Sequence, residues 1–213
     1  MTTTSKSTTL VQIGVGSAKS GRNPKWDDMY NATLHAPTPP ALLLLVEPNP
    51  LHLEAIEDAY KNMKSVSWEN VRIENVAIAV DDQKEVDLYY HPRNGPLFEV
   101  ASLDPKHVCK HGDFKEHELE VLKVPTMSIQ SLFDKHNIKE VDLLVIDTEG
   151  MDDTILKTID FSKYKIHRLI FENCHIKDEG IYEYLETQGL VIAQRHFGDM
   201  GWNTFAVSKD LVR

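Results

Sequence analysis

Short apolar runs alternate with amphipathic or polar stretches along the whole chain. "LVQIGVG" (10–16) predicts a strand that ends in a glycine turn. "ALLLLVEP" (41–48) is apolar almost without interruption, as a parallel strand covered on both faces must be. "HLEAIEDAYKNM" (52–63) puts Leu53, Ile56, Ala59 and Tyr60 on one face of a helix. "VRIENVAIAV" (71–80) reads as one strand and "EVDLYYHP" (85–92) alternates as another. "SIQSLFDKHN" (128–137) predicts a helix opened by a serine cap, and "VDLLVID" (141–147) a buried strand. "MDDTILKTID" (151–160) then predicts a helix and "HRLIFEN" (167–173) a strand. "DEGIYEYLETQG" (178–189) predicts a helix closed by Gly189. "LVIAQRHFG" (190–198) and "NTFAVSKD" (203–210) predict a closing hairpin.

Strand and helix alternating in this way predict an α/β fold. The expected architecture is Rossmann-like and doubly wound: a mostly parallel sheet, helices on both faces and an antiparallel C-terminal edge hairpin. Residues 1–9, all polar but the first, read as a flexible tail, and 10–213 as a single domain. Two irregular stretches interrupt the rhythm. They are 17–40, with Trp26, Pro37, Pro39 and Pro40, and 92–124, rich in His, Lys, Pro and Gly. Long loops in a compact domain tend to be functional, so both are expected to face substrate.

A length of 213 residues suits one such domain with a full core. The net charge of −10 removes the general electrostatic footprint of a nucleic-acid binder. Two cysteines, Cys109 and Cys174, exclude a disulfide scaffold or a four-cysteine zinc site. They read as reduced thiols in a cytosolic setting. No apolar run reaches the roughly 18–20 residues of a membrane span, and the N-terminus lacks a signal core. The expectation is a cytoplasmic protein with neither membrane nor nucleic acid as partner.

The candidate chemistry lies where predicted strands end. Gly14 and Gly16 permit a tight turn and close backbone approach to a ligand. Glu47 ends the second strand, where a carboxylate can take both hydroxyls of a ribose. Asn75, Val76 and Ala77 offer an amide and an apolar edge suited to adenine. Together they point to an adenosine-containing ligand, either a nicotinamide cofactor or S-adenosylmethionine. The turn lacks the full G-x-G-x-x-G fingerprint, since Lys19 takes the third glycine position. No phosphate-binding G-x-x-x-x-G-K-[ST] loop occurs, and the spaced pair Tyr60 and Lys64 sits in the wrong helix for a dehydrogenase.

The acids are concentrated at the later strands. Asp147 ends one, and Glu172 with Asn173 ends the next. An acid adjoining an apolar strand is costly to bury without a partner, so Asp147 and Glu172 read as functional. Asp152 and Asp153 read as solvated helix-start acids, and Glu149 fits either role. His175 suits a general base and equally a satisfied loop histidine. His107, His111 and His117 suggest zinc, but lysine and glutamate neighbours favour a solvated loop. His196 and Trp202 on the closing hairpin are candidates for an acceptor wall, with packing the plainer role for Trp202.

The segments "VQIGVGS", "LLLLVEPNP", "VRIENVAIAVDD", "VPTMSIQSL", "VDLLVIDTEGMDDTIL" and "RLIFENCHI" occur in that order. Over most of residues 10–175 the chain thereby resembles the FkbM family of methyltransferases. The resemblance implies S-adenosylmethionine as cofactor and methylation of a hydroxyl on a small-molecule or carbohydrate acceptor. It implies cofactor contacts from Gln12, Gly14, Val15, Gly16 and Ser17, from Glu47, Pro48 and Asn49, from Asn75, Val76 and Ala77, and from Ser102 and Asp147. The family commonly has an acid where Gln12 stands, and a glutamine cannot balance the ligand's ammonium. Asp147, Glu172 and Asn173 also look like the metal site of catechol-type O-methyltransferases, which implies Mg²⁺ or Mn²⁺. Asp147, Glu172 and His175 are the catalytic expectation. A nicotinamide-dependent oxidoreductase and a non-catalytic nucleoside-binding module are the alternatives.

Overall fold

The computed structural model describes residues 8–18, 28–82, 84–93, 100–176, 178–197 and 202–212. Trp26 and Lys19 lie outside them. In chain order the first elements are β1 (Thr9–Ile13), α1 (Asp28–Leu34), β2 (Leu42–Val46), α2 (Leu53–Lys61), β3 (Val71–Glu74), β4 (Ala77–Ala79) and β5 (Glu85–Tyr90). Then come α3 (Pro105–Gly112), β6 (Glu120–Ser128), α4 (Ile129–Lys135), β7 (Glu140–Val141), β8 (Leu143–Ile146) and α5 (Asp152–Thr158). The chain closes with β9 (Lys165–Ile166), β10 (Arg168–Glu172), α6 (Ile181–Thr187), β11 (Leu190–Arg195) and β12 (Asn203–Ser208).

Seven strands form the main sheet in the order β11-β12-β10-β8-β1-β2-β3. β3, β2, β1, β8 and β10 run parallel, while β12 and β11 form the antiparallel edge. The predicted Rossmann-like arrangement and its closing hairpin are therefore both present. The run "LLLLV" of β2 explains why: successive side chains point to opposite faces, and both faces are covered. Leu43 and Leu45 pack with Met29 and Tyr30 of α1 and Ile56 and Tyr60 of α2. Leu44 and Val46 join the opposite core with Phe133 of α4, Leu156 of α5 and Leu185 of α6. Each such aliphatic side chain, fully buried, contributes roughly 1.5–3 kcal/mol. No helix among the described residues is long and apolar enough to cross a membrane.

Two expectations need correction. Residues 71–80 are two strands in two sheets, not one strand. β3 pairs with β2, whereas β4 pairs with β6 in a small sheet of order β4-β6-β5. The break falls at Asn75, whose Nδ2 donates to the carbonyls of Glu47 (2.8 Å) and Pro48 (2.9 Å). That side chain competes with the ladder and turns the chain. The two stretches expected to be irregular likewise hold regular elements: α1 lies within 17–40, and α3 and the start of β6 lie within 92–124. Asp104 caps α3 by accepting from Lys106 N at 3.0 Å, Pro105 follows, and Asp113 ends it with φ of 54°. Aspartate then proline is a helix-start signal.

The strand order reverses between β1 and β8, with β2 beyond one and β10 beyond the other. In open α/β sheets the crevice at the carboxyl ends of such a pair takes ligands.

Candidate active site

The floor of that crevice is a junction of three strand ends. The Gly14 amide donates to Val46 O at 2.9 Å, and the Asp147 amide donates to Ile13 O at 2.9 Å. Gly14 has φ of 79°, and a Cβ built there would sit 1.6 Å from the Asp147 carbonyl oxygen. Only glycine allows β1 to leave the sheet here. Beyond it Glu47, 5% exposed, reaches across from the end of β2. Its Oε2 accepts from Val15 N (3.1 Å) and Gly16 N (2.7 Å), and its Oε1 from Asn49 N (2.8 Å). The carboxylate thus holds the glycine turn in shape.

Gln12, Gly14, Val15 and Gly16 line the cleft, as do Glu47, Pro48 and Asn49. Val76, Ala77 and Ile78 line it with apolar surface, continued by Leu88, Ala101 and Leu103. Ser102 lines it too and donates its hydroxyl to Glu149 O at 2.8 Å. Asn75 lies behind the wall as the tie between strands, and Ser17 is buried beside the turn. Gln12 is 4% exposed. Its Nε2 donates weakly to Gly14 O at 3.4 Å, which leaves Oε1 buried with no hydrogen bond among the described residues. A buried acceptor of this kind calls for a donor, which a water or a ligand can supply.

Asp147 lines the cleft at the end of β8, with Thr148 and Glu149 after it. Glu149 (φ 52°) and Gly150 (φ 103°) take left-handed backbone, which turns the Glu149 side chain toward α3. There Glu149 Oε2 meets His107 Nε2 at 2.9 Å. Glu172 and His175 stand one layer back from the cleft. His175 Nε2 is 3.8 Å from Glu172 Oε2 and 3.9 Å from Glu149 Oε2. Burial first, and then His107, presses His175 down to about 4, while Glu149 pulls the other way. A group so depressed is a weak general base at neutral pH. Asn173 ties the sheet edge: its Nδ2 donates to His196 O and Thr204 Oγ1, both at 3.1 Å. Its Oδ1 is buried without a hydrogen bond among the described residues. Burial, helped by Glu172, pushes the Cys174 thiol up, so it stays protonated.

Asp152 and Asp153 do begin α5, but they are buried, not solvated. Asp152 bends back to accept from Thr148 Oγ1 at 3.1 Å and Thr148 N at 3.3 Å. Burial, with Glu172 nearby, raises its carboxyl from 3.8 to about 8. Between those values the folded chain holds a proton that the unfolded chain has released, so stability falls as pH rises across that window. Asp152→Asn removes the titration. By thermal unfolding the variant's advantage over the parent is expected to widen from pH 5 to pH 8 and to level off by pH 9. Equal pH slopes for both proteins would contradict the assignment.

Other cleft residues carried no signal in the sequence. Asp28, first residue of α1, lines the cleft and accepts from Asn203 Nδ2 of β12 at 2.6 Å. Burial raises its carboxyl against the opposing pull of Asn203 and His196. His52, 2% exposed, also lines the cleft, with Nδ1 3.9 Å from Glu47 Oε1. The stretch 17–40 pointed toward Asp28, but nothing local distinguished it from other polar residues there. Trp202 is 46% exposed and packs edge-on to Phe197 at 6.1 Å, outside the cleft lining.

Comparison with known proteins matches this architecture. A solved structure of the methyltransferase FkbM from Methylobacillus flagellatus KT is similar with a TM-score of 0.55 at 10% identity. The match covers 94% of this chain and 43% of that one, so this chain spans under half of that protein's length. Weaker similarity reaches the ribosomal protein L11 methylase of Lactobacillus delbrueckii subsp. bulgaricus (TM-score 0.44, 10% identity, 97% and 72% covered). It also reaches a precorrin-6y C5,15-methyltransferase of Geobacter metallireducens GS-15 (TM-score 0.44, 13% identity, 94% and 77% covered). No curated protein matches significantly. The methyltransferase FkbM domain profile matches residues 14–197, from the glycine turn to the closing hairpin. The chain belongs to the FkbM methyltransferase domain family.

Proposed function

We propose that this protein is an S-adenosylmethionine-dependent O-methyltransferase acting on a hydroxyl of a small-molecule or carbohydrate acceptor. The observation that carries the reading is the glycine turn, clamped by Glu47, opening beside Gln12 Oε1, which has no hydrogen-bond partner among the described residues, in the same cleft. When bound, the cofactor supplies an electrophilic methyl group on a sulfonium. Glu47 receives the ribose hydroxyls, and Val76, Ala77 and Ile78 hold the adenine. Gln12 Oε1 accepts from the methionine ammonium, so a neutral residue serves where the family commonly has an acid. The hydrogen bond is kept and the charge is not, which is worth less than a charge-assisted contact. Asp147 and Asp28 are the carboxylates that meet the acceptor hydroxyl and take its proton. Asp28, raised by burial, lies closer to the pH at which a base works best.

Titration calorimetry tests the cofactor class. S-adenosylmethionine and its demethylated product are expected to bind one per chain, and NAD is not. Failure of both adenosyl ligands to bind would remove the proposal.

A further inference from the structure

The three imidazoles and one carboxylate gathered behind the cleft have no use in that scheme. His107 and His111 lie four residues apart on α3, hence on one face of the helix. Glu149 comes from the left-handed turn after β8, and His175 from the turn after β10. One ligand atom from each of these four residues lies within 4.8 Å of the others. The rings of His107 and His175 are 4.2 Å apart, and those of His107 and His111 4.7 Å.

We infer that His107, His111, Glu149 and His175 form a four-ligand centre for a borderline divalent metal, Zn²⁺ foremost. Ligand atoms on a tetrahedral ion at about 2.0–2.1 Å stand about 3.3 Å apart. The cluster therefore needs only a modest contraction. Imidazole nitrogens select zinc-like ions over Mg²⁺ or Mn²⁺, which prefer oxygen. Glu149 adds a carboxylate oxygen to the imidazole nitrogens for the cation to meet. The surroundings are built for the cluster. A Cβ at Gly150 would come within 3.1 Å of His107 Nδ1, so the glycine makes room for the buried ring. His111 is exposed at the outer edge and gives an ion its way in.

Four protein ligands close the coordination sphere, as in structural rather than catalytic zinc sites. The ion clamps α3 and the turn after β10 onto the Glu149 turn, one wall of the cofactor cleft. It uses none of Asp147, Glu172 and Asn173, and it stands whether or not S-adenosylmethionine is the cofactor.

The test uses the full chain stripped by chelator and titrated with Zn²⁺ by calorimetry. One ion per chain is expected, with a higher melting temperature, and Co²⁺ in its place is expected to give tetrahedral visible absorption. His111→Ala removes an exposed ligand and is expected to weaken zinc at least about 10-fold. The double change His107→Ala with His111→Ala is expected to weaken it about 100-fold or more, with circular dichroism unchanged. His117→Ala, outside the cluster, leaves binding as it was. If the double variant fails to fold, His111→Ala decides alone. No stoichiometric zinc in the parent, or undiminished affinity in the folded histidine variants, overturns the proposal.

Discussion

Gly14→Ala is expected to destabilise the protein by about 3 kcal/mol or more and to abolish cofactor binding. Two independent costs add at this position. A side chain at φ of 79° is strained, and the new methyl would overlap the Asp147 carbonyl oxygen, which is backbone and cannot rotate away. Relief requires β1 and β8 to separate at their carboxyl ends, where the Asp147 amide bonds to Ile13 O. The cleft opens between those ends, so stability and binding are lost together. Denaturant unfolding reads the first loss and calorimetry with S-adenosylmethionine the second. A variant with parental stability would show that the strand ends are looser than described.

Glu47→Ala is expected to have the next largest effect, for a reason of charge and hydrogen bonding. The substitution removes the acceptor of three backbone amides, Val15, Gly16 and Asn49. A buried donor left without a partner costs about 1–3 kcal/mol, so the expected loss of stability is about 3 kcal/mol. Binding of S-adenosylmethionine should fall by at least about 100-fold, because the ribose acceptor and the shape of the turn vanish together. Glu47→Gln separates the two contributions. It keeps the volume and one acceptor oxygen but turns an NH₂ group toward a backbone donor. Its stability should lie between those of the parent and Glu47→Ala. A Glu47→Gln protein that binds as well as the parent would show that the negative charge is dispensable.

Both residues could be found in the sequence because their signals are local. A glycine after an apolar strand, and an acid after the next one, are read from neighbours along the chain. Asp147 was found in the same way. The buried strands were equally legible, since "LLLLV" and "VDLLVID" have no polar face to offer and must lie inside a covered sheet. The break at Asn75 was less legible. Its cause is one side chain bonding to the end of another strand 27 and 28 residues away, and periodicity does not record such a bond. Asp152 and Asp153 misled because a helix-start acid looks the same in sequence whether its helix end is solvated or buried.

The sequence by itself determined most of the strands and helices of the main sheet, the glycine turn, the acids that end the strands and the family. These rest on periodicity and on residue types close together in the chain. Only the tertiary structure decided which distant groups meet. It brought Asp28 to Asn203 across 175 residues, and His107 to Glu149 across 42. It also separated His117, in a surface turn, from His111, although the two are near neighbours in the chain. In a doubly wound sheet, consecutive strand ends are carried to one edge by helices of different length. Residues that share no local pattern therefore converge there, and the physical reason for their meeting is the topology of the sheet.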